Sequence, residues 1–107
     1  PEEDTTPDTT RPATAAAKGG VVAYLQVDGA IAAAAFYGRA FGAAVAASVP
    51  PDEQGRTMHV HLYINDSSVM LCDPYPEHGH PLEKPQGASL VLPVDDAQAW
   101  FDRAVAA

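Results

Sequence analysis

Hydrophobic and polar positions along the 107-residue chain fall into two stretches written on one plan: Leu25-x-Val27-Asp28-x-Ala30 returns as Leu92-x-Val94-Asp95-x-Ala97. In each, a short apolar run passes into a helix. The first helix carries Phe36-Tyr37-Gly38-Arg39-Ala40 and the second Trp100-Phe101-Asp102-Arg103-Ala104, so an aromatic pair, a spacer, an arginine and an alanine recur in order, three residues out of register. A solenoid needs about three or more repeats. Two copies instead suggest a duplicated module whose halves close around a site.

Residues 21–27 are β-branched or aromatic enough for a strand, and Asp28-Gly29 is a turn signal that also suits a helix cap. A helix over 30–41 follows, with Ile31, Ala34, Ala35 and Phe41 at roughly helical spacing and Gly42 as its stop. Residues 43–49 fit a second strand, ended by Pro50-Pro51. Residues 57–64 alternate in a two-residue period, and Asn65-Asp66-Ser67 turns the chain into a fourth strand over 68–72. The Pro-, Gly- and His-rich stretch 75–86 has no period and reads as a linker. Residues 87–94 then predict the second module's strand and 97–107 its helix, so module one spans 21–74 and module two only 87–107. Three strands of a full second copy are missing, supplied by a longer chain or by another one. Residues 1–20, an acidic stretch of Thr, Pro and Ala without an apolar face, predict a flexible tail.

Composition narrows the partners. A formal charge of −8 opposes the electrostatic grip that nucleic acid requires, so no nucleic-acid partner is expected. The longest apolar run, 30–36, is far short of the ~20 residues that span a bilayer. Cys72 is the single cysteine and cannot pair within the chain. A cytoplasmic protein with no membrane association is the expectation.

At Tyr24-Leu25-Gln26-Val27-Asp28-Gly29, Ala35-Phe36-Tyr37, Ala40-Phe41-Gly42, Met58-His59, Met70-Leu71-Cys72-Asp73 and Val94-Asp95-Asp96, the chain resembles the vicinal oxygen chelate superfamily. These are the glyoxalase, bleomycin-resistance and extradiol-dioxygenase proteins, and the likeness is greatest to their PhnB-like branch. The resemblance covers 21–107 and implies an α+β fold in which paired βαβββ modules form a curved mixed sheet around a cavity, usually completed by dimerisation. It also implies where a metal would sit: the ligand positions of metal-dependent members fall here on Val22, Met70 and Ser89. An aliphatic group, a thioether and a hydroxyl do not replace nitrogen and carboxylate donors. The usual metal site is therefore expected to be absent.

Strand alternation places His59, His61 and Tyr63 on one face, joined across the hairpin by Ser68, Met70 and Cys72. Because Met70 holds a family ligand position, the resemblance makes this the cavity face. His59 and His61 are the candidates for a substitute metal site, against the simpler reading of two hydrogen-bonding groups lining a wet pocket. His78 and His80, in the linker, are weaker candidates still. Phe36, Tyr37, Phe41, Trp100 and Phe101 read as helix faces packed on the sheet, and Asp28, Asp95 and Asp96 as helix caps.

Two functions remain open. One is a metal-free binder, without cofactor, of a small hydrophobic or aromatic molecule held by His59, His61, Tyr63, Met70 and Cys72 in a homodimer. The other is an enzyme of lyase, isomerase or dioxygenase type with a divalent ion on His59 and His61.

Overall fold

The computed structural model describes residues 11–107, and the first ten residues of the expected tail lie outside it. The order is β1 (Ala23–Gln26), α1 (Ala30–Phe41), β2 (Ala44–Ser48), β3 (Val60–Ile64), β4 (Ser67–Cys72), a 3₁₀ turn (Pro76–His78) and α2 (Ala97–Ala106). The strands form one twisted, curved sheet in the order β1-β4-β3-β2. β1 runs parallel to β4, and the other two pairings are antiparallel. The α+β class and the βαβββ order of the first module are those anticipated.

Each turn follows from local chemistry. Asn65 and Asp66 both adopt positive φ (48° and 64°), the two-residue geometry whose twist matches a β-hairpin and which Asn and Asp tolerate best. Gly42 ends α1 at φ 69°, donating back to the carbonyl of Gly38. β3 is shorter than the alternation over 57–64 suggests. Its expected start is diverted: the Thr57 amide donates to Asp73 and its hydroxyl to the Val49 carbonyl.

One sheet face receives α1. The core is Leu62, Leu71 and Val60 from the strands against Ala30 and Ala34 of the helix. Burying each of the two leucines stabilises the fold by about 1.5–3 kcal/mol. The buried helix stripe is Ala30, Ala34 and Ala40 with Ala33 and Tyr37 beside it; of the Ile31, Ala34, Ala35 and Phe41 stripe expected from spacing, Ala34 is buried and the other three are only partly so. Alanine brings the helix backbone close to the sheet, and the larger residues flank it. Phe36 and Phe101 also depart from expectation, standing at the surface at 36% and 65% exposure.

The second module differs from its sequence pattern. Residues 87–94 form no strand, and Leu90, Val91 and Leu92 are exposed. A strand exists only where its backbone groups find a partner strand, and the described residues present none to this one. The helix of the repeat does form: α2 lies against α1, and Arg103 donates to the carbonyls of Arg39 and Gly38 at α1's C-terminal end. No helix among the described residues is long and apolar enough to cross a membrane.

Caps are also reassigned. Gly29 is the residue before α1 and has no side chain to cap it; Asp28 takes no part. Asp73, at the end of β4, accepts from the amides of Gly29 (2.8 Å) and Ala30 (3.2 Å). Asp96 does cap α2, accepting from Ala99 at 3.0 Å.

Candidate functional site

The sheet face turned away from α1 carries Tyr24 and Gln26 from β1, His61 and Tyr63 from β3, and Ser68, Met70 and Cys72 from β4. Registry sets them side by side: Tyr24 stands opposite Met70, and Met70 opposite His61. His59, just before β3, extends the row. Ring centroids step along it, 6.3 Å from His59 to His61 and 5.1 Å from His61 to Tyr63 in an edge-on contact. The six residues expected on one face, His59, His61, Tyr63, Ser68, Met70 and Cys72, are thus gathered there.

The two ends of this face are unlike. Residues 11–18, part of the expected tail, form no regular element yet are tied down across one end. Arg11 donates to the Val45 carbonyl, Pro12 accepts from the Ser48 amide, and Ala16 accepts from the Tyr63 hydroxyl at 2.7 Å. The Lys18 amide donates to Ser68 Oγ at 2.7 Å, its carbonyl accepts from the Ser68 amide, and its ammonium lies over the Tyr63 ring and beside Asp66. A segment with no apolar stripe is held here by backbone and tip-atom hydrogen bonds instead. Beneath it His61 is 1% exposed, its Nε2 2.6 Å from Ser68 Oγ.

The other end is open. Tyr24 Oη reaches the Met58 carbonyl (2.8 Å) and His59 Nδ1 (2.9 Å), with the two rings 5.6 Å apart and tilted by 46°. Tyr24 is 52% exposed and Met58 62%. Burial, and then the neighbouring His61, lowers the pKa of His59 below the usual histidine range. Burial, and then the nearby Cys72, raises that of the Tyr24 phenol. Burial, and then Asp73, raises that of the Cys72 thiol, so Cys72 is held as a neutral thiol, a weak nucleophile. Sequence reasoning passed over Tyr24 as a site residue. Its parallel registry with Met70 was the missing signal, and that pairing is not written in either segment alone.

Among the described residues no three His, Cys, Asp or Glu side chains come together to hold an ion. His61 Nε2 is engaged by Ser68 and His59 Nδ1 by Tyr24. Val22, Met70 and Ser89 supply no nitrogen or carboxylate donor. His78 and His80 lie exposed beyond β4, with His80 bonded to Tyr75 through its backbone.

A separate recess of about 440 Å³ lies on the helix side, between Tyr37 and Phe41 of α1, Leu25 and Val69 of the sheet, and Leu90 and Leu92. It exists because residues 87–94 pass beside the core without joining the sheet.

Compared with known proteins, the chain matches the family model described as the Glyoxalase/Bleomycin resistance protein/Dioxygenase superfamily over residues 18–107. No curated protein and no solved structure matches it.

Proposed function

The chain belongs to the glyoxalase/bleomycin resistance protein/dioxygenase superfamily, and from that premise we propose that it binds a small hydrophobic or aromatic molecule on the sheet face away from α1. The observation that carries this reading is the open corner of Tyr24, Met58 and His59, backed by Met70 and Cys72. It pairs apolar and ring surface with a few fixed polar atoms, the usual make-up of a small-molecule site. Among the described residues no three His, Cys, Asp or Glu side chains gather to hold an ion, and the reading rests on shape, ring contact and hydrogen bonding. The motifs at Ala35-Phe36-Tyr37, Ala40-Phe41-Gly42 and Met58-His59 support placement in the PhnB-like branch.

A second copy of the chain would complete the cavity. Exposed Leu90, Val91 and Leu92 support this, being a strand's worth of apolar residues without a partner.

Titration of isotopically labelled full chain with small aromatic compounds tests the reading. Amide shifts are expected to concentrate on Tyr24, His59, Met70 and Cys72. Shifts confined to Leu25, Tyr37, Phe41 and Val69 would assign binding to the helix-side recess and overturn it.

A further inference from the structure

The hydrogen bonds of Tyr24 fix which nitrogen of His59 is available. Tyr24 Oη lies 2.8 Å from the Met58 carbonyl and 2.9 Å from His59 Nδ1. A carbonyl oxygen only accepts, and a phenol has one proton to give. With that proton on Met58, both contacts are hydrogen bonds only if His59 Nδ1 donates to the tyrosine oxygen. The neutral imidazole then carries its proton on Nδ1 and a lone pair on Nε2.

That Nε2 is open. It has no hydrogen-bond partner among the described residues, and none of their buried side-chain nitrogens or oxygens lacks one, so Nε2 is reached by solvent. Burial favours the uncharged ring, as the lowered pKa of His59 reports.

We infer that His59 Nε2 is the specificity-determining acceptor of this site, and that the ligand it selects is an uncharged aromatic bearing a hydroxyl donor. The inference rests on the binding reading above and adds the ligand's chemistry to it. An anion is disfavoured: a lone pair faces it, the chain carries −8, and Arg56 and Lys18 are engaged elsewhere, Arg56 by Asp52 and Glu77 and Lys18 by Asp66. The tilted Tyr24 and His59 rings offer an aromatic ligand edge and face contacts, while Met58 offers an adaptable apolar flank.

The test has two readouts on the full chain. Long-range ¹H–¹⁵N spectra of the imidazoles report the tautomer without any ligand. His59 is expected to be protonated at Nδ1, and Tyr24→Phe to return it to the Nε2-protonated form. Titrations with phenol, anisole and benzoate then report selection. Phenol, uncharged at pH 7 as a tyrosine side chain is, should bind roughly three- to tenfold more tightly than anisole, the worth of one hydrogen bond. Benzoate should bind more weakly than both, and His59→Phe should erase the phenol preference while anisole still binds. A wild-type ring protonated at Nε2, or equal affinity for phenol and anisole, overturns the inference and leaves aromatic binding standing. Binding of none of the three overturns the binding reading as well.

Discussion

The buried carboxylate of Asp73 stands 3.2 Å from the backbone nitrogen of Ala30, forty-three residues earlier in the chain, and caps the first helix from the end of the neighbouring strand β4. The same carboxylate accepts from Gly29 and, through its second oxygen, from Thr57 at 2.8 Å. One side chain therefore joins the head of α1, the end of β4 and the approach to β3. That junction frames the Tyr24 and His59 corner, since Thr57 sits two residues before His59 and Cys72 directly precedes Asp73.

Asp73→Ala leaves three amide donors without their acceptor. The expected loss is about 3 kcal/mol of unfolding free energy, the scale of unsatisfied buried donors next to a lost cap. Asp73→Asn, which keeps one oxygen, should lose less. Asp28→Ala, at a position in no capping bond, should stay within about 0.5 kcal/mol of the parent. Urea unfolding with an unchanged slope is the measurement, and equal effects at positions 28 and 73 would contradict the assignment.

Arg103 clamps the other end of α1. Its guanidinium donates to Arg39 O at 2.8 Å and Gly38 O at 3.3 Å, serving a neighbouring helix's carbonyls, not those of its own last turn. Arg103→Ala should weaken the docking of α2 by about 1 kcal/mol. Amide exchange should quicken over 97–106 with little change in β3 and β4.

Ser68 holds both the crossing segment and His61. Ser68→Ala removes the acceptor for the Lys18 amide and the partner of a buried imidazole, at an expected cost of about 1–3 kcal/mol. Tyr63→Phe removes only the bond to Ala16 and should cost about 1 kcal/mol or less. Both variants should be cut faster by trypsin after Lys18. Unchanged cleavage would show that these bonds do not hold the segment.

Stability should fall with acidity in two stages. The pKa of His59 is lower folded than unfolded, so its contribution is complete above the ordinary value of about 6.5 and declines as pH drops from there through the folded value. Glu77 is pushed down to about 2, chiefly by its hydrogen bond from Arg56. Its contribution is complete above the ordinary glutamate range and is lost as pH falls toward 2. Thermal unfolding across pH 8 to 3 reads both, with His59→Gln expected to flatten the upper stage and Glu77→Gln the lower.

The sequence by itself determined what short-range sterics and periodicity control. Period-two alternation put His61 and Tyr63 on one face with Met70 and Cys72 across the hairpin. Asn65-Asp66 set the turn, and Gly42 the end of the helix. The family followed from the same local motifs, as the match over 18–107 shows. Only the tertiary structure decided the rest, because each remaining feature joins groups far apart in the chain through sheet registry. Tyr24 meets His59 thirty-five residues away once β1 lies parallel to β4. Asp73, not Asp28, caps α1 because the end of β4 arrives at the helix head. Residues 87–94 carry a strand's pattern, yet pattern alone cannot supply the partner whose hydrogen bonds make a strand. Residues 11–18 carry no pattern and are held all the same, because their bonds are to backbone groups and side-chain tips that only the assembled sheet presents.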